Sequence, residues 1–278
     1  MRYRLLWTFL LAVNLAWAQE IEVMTYNIRL SLESDGENAW SKRAEEVVDL
    51  LNYYEPSILG VQEALPKQMD YIQKGLPSYR YVGVGRDDGK RKGEFSALFY
   101  DASKFELLQS GTFWLSLTPN VPSKGWDAAY PRICSYGLLK SKKDGKQFWA
   151  FNLHFDHVGD IAREESAKLI IDKISKLNTK GYPVVLTGDF NLESDTVPIK
   201  LLSKALSDSF LHSKKKPYGP KGTFTGFETK EPAKVRIDYI FTKGFETLNY
   251  RVIEDRRENL LYPSDHFPVL STLRFSGK

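Results

Sequence analysis

The sequence has a single cysteine, Cys134, among its 278 residues. No intrachain disulfide can form, and a cysteine-based metal cluster is excluded. An excess of either charge is missing too: 39 Lys and Arg against 35 Asp and Glu leave a net +4. That is far from the basic coat with which a protein holds nucleic acid by charge alone. Net charge does not report distribution, so a locally basic groove stays open. The apolar run at residues 5–17 is too short to span a bilayer comfortably. No linker divides the chain, which argues for one large domain. Hydrophobic residues at 42% are enough to bury a sizeable core.

The amino terminus does carry a pattern. Arg2 and Arg4 precede the apolar run, and Ala16-Trp17-Ala18 supplies a small-residue cleavage site. This reads as a signal peptide over residues 1–18, with the mature domain at 19–278 and an exported destination, periplasmic or released. The competing reading is an uncleaved anchor. Gln19 rather than a cysteine stands immediately after the cleavage point, so a bacterial-type lipid anchor is not indicated.

The stretch Pro183-Val184-Val185-Leu186-Thr187-Gly188-Asp189-Phe190-Asn191 organises the rest. Its apolar run reads as a buried strand that stops at Gly188, where the backbone bends without Cβ strain. Asp189 and Asn191 follow at the carboxyl end, where open α/β sheets place ligand chemistry. An Asx-turn closing an ordinary strand is the competing reading. Alternation and helical spacing predict further strands at 20–28, 58–63, 79–85, 95–100, 105–117, 133–139, 147–153, 235–241 and 268–275. They predict helices at 40–54, 66–76, 162–177 and 197–206. Residues 31–38, 118–131 and 213–222 read as loops. Strands alternate with helices, but hairpins such as the one around Lys143-Asp144-Gly145 require antiparallel pairing. The expected fold is therefore α/β: a four-layer α/β/β/α sandwich of two packed mixed sheets in a single domain. Both halves run strand, helix, strand, with Asn27 and Asp189 at comparable points, as an internal duplication would place them.

Polar residues gather at strand ends or in the turns just after them: Asn27, Glu63, Glu94, His154, Asp189, Asn191, Asp238, Asp265 and His266. Each has a dull reading. Glu63 can cap a helix, His154 can be a satisfied core histidine, Asp238 a turn acid, and Asp265-His266 a surface pair. Together they form a kit. Carboxylate and amide oxygens suit a hard cation such as Mg²⁺. Two histidines with orienting acids suit general acid–base work on a phosphate. Metal-assisted attack of water on a phosphate ester requires that combination.

Thr25-Tyr26-Asn27-Ile28-Arg29, Val61-Gln62-Glu63, Gly188-Asp189-Phe190-Asn191, Ile237-Asp238-Tyr239-Ile240 and Ser264-Asp265-His266-Phe267-Pro268-Val269 resemble, in this order, segments of the endonuclease/exonuclease/phosphatase superfamily. The resemblance spans nearly the whole mature chain. Carried over by position, it implies Glu63 as principal metal ligand, helped by Asn27 and Asp265, with Mg²⁺ or Mn²⁺ as the ion. It implies that Asp189 positions or deprotonates the attacking water and that Asn191 holds a non-bridging phosphate oxygen. His266 would contact the phosphate, oriented by Asp238. The bland alternative is that Asp238 and His266 merely stitch two strands. Glu94 and His154 resemble the pancreatic deoxyribonuclease and sphingomyelinase side of the superfamily, where a second histidine pairs with a second acid. His154 would then protonate the leaving oxygen. Arg132 is a candidate phosphate clamp, or else a surface arginine. Asp156 reads as a cap for the following helix; His157 has no assigned role.

The kit does not choose a leaving group. Trp114, Trp126 and Tyr130 would serve a base, a sugar, a lipid surface or their own core. Lys214-Lys215-Lys216 would track a nucleic-acid backbone or form a solvated face. The leading expectation is an exported divalent-metal-dependent phosphodiesterase, nuclease-like or otherwise. The alternatives are a phosphomonoesterase or phospholipase-C-like hydrolase of inositol, sugar or lipid phosphates, and a non-catalytic binding module. The expected partner is a phosphate ester (nucleic acid, nucleotide, lipid headgroup or sugar phosphate), with no obligate protein partner and a monomer as the default.

Overall fold

A computed structural model describes residues 20–277. The expected signal peptide lies outside the described residues. The elements run β1 (Glu20–Asn27), α1 (Ala44–Tyr54), β2 (Ile58–Ala64), α2 (Pro66–Gly75), β3 (Tyr79–Val82), β4 (Phe95–Asp101), β5 (Phe105–Trp114), β6 (Ile133–Ser141), β7 (Gln147–His154), α3 (Asp160–Leu177), β8 (Val184–Asp189), α4 (Val197–Ala205), β9 (Ser207–Asp208), α5 (Ser209–His212), β10 (Asp238–Lys243), β11 (Phe245–Val252) and β12 (Val269–Phe275). One sheet has the order β11-β12-β1-β2-β4-β3, the other β5-β6-β7-β8-β10-β9. Each is antiparallel except near its centre, where β1 and β2, and β7 and β8, run parallel. Parallel neighbours need a crossover, and α1 and α3 supply them.

The apolar pattern explains the layering. In β8, Val184 and Leu186 pack outward with α3 and α4 residues such as Ile170 and Leu202, while Val185 packs inward between the sheets. A strand buried on both faces reads as a continuous apolar run. Val47, Leu51 and Ile72 cover the outer face of the other sheet against Met24 and Leu59. Three apolar layers separate four layers of structure, so the molecule is an α/β/β/α sandwich.

The two strand–helix–strand units correct one expectation. Asn27 ends β1 and His154 ends β7, while Glu63 and Asp189 lie at the ends of β2 and β8. The comparable points are Asn27 with His154, and Glu63 with Asp189. β11 was not foreseen, because its register slips between Thr247 and Asn249 and breaks the alternation. The first helix begins at Ala44 rather than 40, after a 3-10 turn over Trp40–Lys42. The strand expected from 235 begins at Asp238, and Val235 bridges Phe224 instead. Within 213–222, Lys214 and Lys215 N–H donate to the Thr247 and Leu248 carbonyls. That is well along β11 from Val252, which pairs with Val269 beside the site.

A polar pin joins the sheets beneath the strand ends. The β2–β4 pairing is irregular after Val61. Asn152 Nδ2 donates to the Val61 and Ala97 carbonyls, at 2.9 Å each. Asn152 Oδ1 accepts from Gln62 Nε2 at 2.6 Å and Thr187 Oγ1 at 3.0 Å. All three side chains are fully buried. Gly60 leaves room for them, since a Cβ there would collide with Asn152 Oδ1 and Thr187 Oγ1. Asn152→Ala takes the partner from a Gln62 N–H and from the Val61 and Ala97 carbonyls, out of reach of water, while the Thr187 hydroxyl keeps the Phe151 carbonyl. We expect it to cost about 2–4 kcal/mol in urea unfolding; a loss under about 1 kcal/mol would show that the sheets dock without the pin.

Candidate active site

Strand register gathers the chemistry at one end of the sandwich. His154 pairs with Asp189, and Asp189 with Asp238, in one row across β7, β8 and β10. From the facing sheet come Asn27 and Glu63, and from the turn before β12 come Asp265 and His266. Glu63, Asp189 and Asn191 line one cleft with Asp265, His154, His266, Glu94 and Arg132; its volume is about 590 Å³. Three of the contributing residues hold left-handed backbone: Arg29 (φ 57°), Glu63 (φ 64°) and Asn191 (φ 51°). Non-glycine residues adopt that region at a cost, and such strain concentrates at functional sites.

Asn27 Nδ2 donates to Glu63 Oε1 and to Asp189 Oδ2, at 2.9 Å each. The amide therefore bridges acids from opposite sheets, and its oxygen accepts from Arg29 N at 3.0 Å. In this arrangement Asn27 offers the gap a donor rather than the oxygen expected of a metal ligand. Glu63 Oε2 accepts from Leu30 N at 3.0 Å, and Asp189 Oδ1 from Asn191 N at 2.9 Å. Asp238 Oδ2 lies 2.9 Å from His266 Nδ1, and His266 Nε2 lies 3.7 Å from Asp189 Oδ2. Asp265 Oδ2 faces Arg29 Nη1 at 3.8 Å. Ligand atoms of Glu63, Asp189 and His266 all lie within 4.8 Å of one another. Asp265 is not in that closest trio, although the Glu63 charge acts on it and its own charge acts on His266.

The two histidines are driven apart. Burial favours neutral rings for both. For His266 the Asp238 and Asp189 charges override it and hold the imidazolium well above the ordinary range. For His154 the Arg132 and Arg86 charges add to burial and push the pKa well below it. Asn191 Nδ2 accordingly donates to His154 Nε2 at 3.0 Å. His154 is here an acceptor, whereas the sequence reading cast it as the acid. Burial, followed by the Asp238 charge, raises Asp189, and burial raises Asp265.

Glu94 is corrected. Its carboxylate does not brace His154; it grips Arg86, with 2.7 Å contacts to both Nη1 and Nη2. Burial raises Glu94 to about 7 against the pull of Arg86. Arg132 is no surface arginine. It is 5% exposed, its Nε donates to Asp156 Oδ2 at 3.3 Å, and its Nη2 meets His157 Nδ1 at 3.0 Å. Asp156 accepts from Val158 N and Gly159 N just before α3, so it caps that turn and holds Arg132 as well. Trp114 is core, with its Nε1 on the Arg86 carbonyl at 2.7 Å. Sequence reasoning missed Arg86, which reads as one charge in a glycine-rich loop. It also missed Arg43, fully buried behind the site. Arg43 donates to the Ile28, Arg29 and Pro263 carbonyls at 2.6, 2.9 and 3.0 Å, tying the loop after Asn27 to the loop before Asp265.

Residues 24–266 match the model of the Endonuclease/Exonuclease/phosphatase family. The chain belongs to that family. A crystal structure of an endonuclease/exonuclease/phosphatase family protein from Bacteroides thetaiotaomicron is 40% identical with a TM-score of 0.89, covering 94% of this chain and all of that one. A mannosyl-6-phosphatase from the same species is 42% identical with a TM-score of 0.88, over 92% of this chain and all of its own. Mouse tyrosyl-DNA phosphodiesterase 2 is 21% identical over 84% of this chain and 61% of the mouse protein. The chain is thus a phosphoesterase hydrolase of the Endonuclease/Exonuclease/phosphatase family, which depends on divalent metal.

The donors fit such an ion. Glu63 and Asp189 aim carboxylate oxygens at one gap, and hard oxygens are what Mg²⁺ and Mn²⁺ prefer. A positive donor, the Asn27 amide, already bridges them. Glu63→Gln should weaken Mn²⁺ binding at least about ten-fold by titration calorimetry while the circular dichroism spectrum stays native. Unchanged Mn²⁺ affinity would place the ion elsewhere.

Proposed function

We propose that this chain is an exported, Mg²⁺- or Mn²⁺-dependent phosphoesterase whose substrates are phosphate monoesters of sugars. The observation that carries the reading is the number of cations gathered in the cleft with the acids. Arg29, Arg86, Arg132 and the charged His266 line the same cleft as Glu63 and Asp189. A terminal phosphate is a dianion and needs more positive charge than a diester does. The cleft volume suits a ligand the size of a hexose phosphate. The full-length likeness to a mannosyl-6-phosphatase supports the same substrate class. The diester expectation ranks behind this one. It keeps one observation in its favour: His154 stands by Asn191 and Asp189, where a second histidine would serve a leaving oxygen.

The roles follow from the geometry. Glu63 and Asp189, with Asp265 beside them, would hold the ion; when bound, it supplies charge and Lewis acidity to the phosphate oxygens. Asp189 is held by the Asn27 amide and by Asn191 N–H, so its carboxylate is aimed, and its raised pKa suits a group that orients water and takes its proton. Asn191 Nδ2 now spends its hydrogens on His154 Nε2 and the Phe155 carbonyl; turning the first to a phosphate oxygen would hold the substrate without adding charge. His266, braced by Asp238, brings a positive N–H to the phosphate. Export rests on Arg2, Arg4, the apolar run and Ala16-Trp17-Ala18. Among the described residues no helix is long and apolar enough to cross a membrane.

Purified protein with Mg²⁺ or Mn²⁺ should hydrolyse mannose 6-phosphate with kcat/KM at least about 100-fold above that for bis-p-nitrophenyl phosphate, and EDTA should abolish both. Faster hydrolysis of the diester would overturn the monoester reading. Asp238→Asn removes the charge that braces His266 and should lower kcat by about 10²–10⁴-fold with the fold intact. Near-normal turnover would reduce that pair to a strand contact.

A further inference from the structure

Arg86 and Arg132 belong to a connected chain of side chains that carries two cleft residues, Tyr130 and His157, with no metal or phosphate role. Glu94 grips Arg86; the Arg86 guanidinium carbon stands 5.0 Å from the Tyr130 ring centre. Tyr130 stacks on His157, with ring centres 6.0 Å apart and planes 15° from parallel. His157 Nδ1 meets Arg132 Nη2, and Arg132 Nε returns to Asp156. Asp156 Oδ2 also accepts from Tyr130 N at 3.4 Å, closing the circuit.

Tyr130 is 52% exposed, yet it is fixed through its backbone, through Arg86 behind its ring and through the His157 stack. An exposed aromatic held on so many sides is pre-organised, and pre-organisation lowers the entropy that binding must spend. Two polar atoms of these side chains make no protein hydrogen bond among the described residues: the Tyr130 hydroxyl and His157 Nε2. Both residues line the cleft that holds Asp189 and His266. With the phosphate held between the acids and the two arginines, Tyr130 and His157 are polar cleft side chains left for the ester's alcohol portion.

We propose that Tyr130 and His157 form the leaving-group subsite and select a hydroxyl-rich ring, the alcohol of a sugar phosphate. The inference rests on the monoester reading above and adds the residues that set its specificity. The exposed rim of the Tyr130–His157 stack offers an apolar edge to the C–H side of a pyranose, and the hydroxyl and ring nitrogen on it answer the sugar's own hydroxyls. A site that hydrogen-bonds a substrate hydroxyl discriminates against analogues that lack it.

The test compares mannose 6-phosphate with glycerol 3-phosphate, which presents the same phosphate on an alcohol without a ring. Steady-state kinetics with Mn²⁺ on the full protein give the ratio of kcat/KM for the two esters. The wild-type ratio should favour the hexose at least about ten-fold. Tyr130→Ala and His157→Ala should each cut that ratio about five- to ten-fold, mainly through KM, with Tyr130→Phe intermediate. Thermal unfolding and Mn²⁺ titration show whether each variant is folded. A hexose preference that survives both alanine variants overturns the subsite and leaves the monoester reading standing. A wild-type ratio near one also overturns it. Absence of any monoester hydrolysis overturns the monoester reading and the subsite together.

Discussion

Two carboxylates from different sheets, Glu63 and Asp189, share the hydrogens of one amide, that of Asn27. The catalytic end is built around that closeness. Asp189 is buried beside Asp238, and Glu63 acts on Asp265, so the site concentrates negative charge where water cannot screen it. Buried like charges are costly unless cations and hydrogen bonds offset them. Here His266, Arg29, backbone N–H groups and the Asn27 amide do part of that, and a divalent ion is the natural complement. The arrangement is worth building only if the sheets dock in a single way.

That docking has its own devices. The Asn152 network lies between the sheets under the strand ends, where an apolar contact would allow small slides. Buried polar groups are unforgiving of misalignment, because each unmade bond forfeits its desolvation. Arg43 does the same for the loops, gathering carbonyls from residues 28, 29 and 263 on one buried guanidinium. Precision at the acids thus depends on polar groups that touch no substrate.

Much of this was legible in the sequence, for a physical reason. Strands buried on both faces must be apolar until they leave the sheet, so the polar residues just past them, such as Asn27, His154 and Asp189, stand out. Helices covering a sheet must show a 3.6-residue stripe, as 44–51 does. What stayed hidden depends on geometry between distant segments. Glu94 is an acid at a strand end like the others, but its partner is an arginine eight residues earlier across a turn, not a histidine sixty residues later. The direction of the Asn27 amide follows from Arg29 N–H, a backbone group without a sequence signature. β11 was lost to a single irregularity that breaks a two-residue period.

The cleft is asymmetric in sign, and that asymmetry bears on the ester it fits. Acids crowd one end; Arg86 and Arg132 stand at the other, near enough for each to make His154 harder to protonate. Their charges also oppose each other, since Arg132 lowers the pKa of Arg86 beyond the effect of burial. Arg132 Nη1 is sealed from solvent with no hydrogen-bond partner among the described residues, a deficit of about 1–3 kcal/mol. Two neighbouring guanidiniums tolerate this only because Glu94 and Asp156 hold them, and an anion arriving between them would relieve what remains. None of Lys214, Lys215 and Lys216 lines this cleft. On the reading proposed above, a fixed pair of arginines facing a fixed set of acids would hold one compact phosphate in a single orientation.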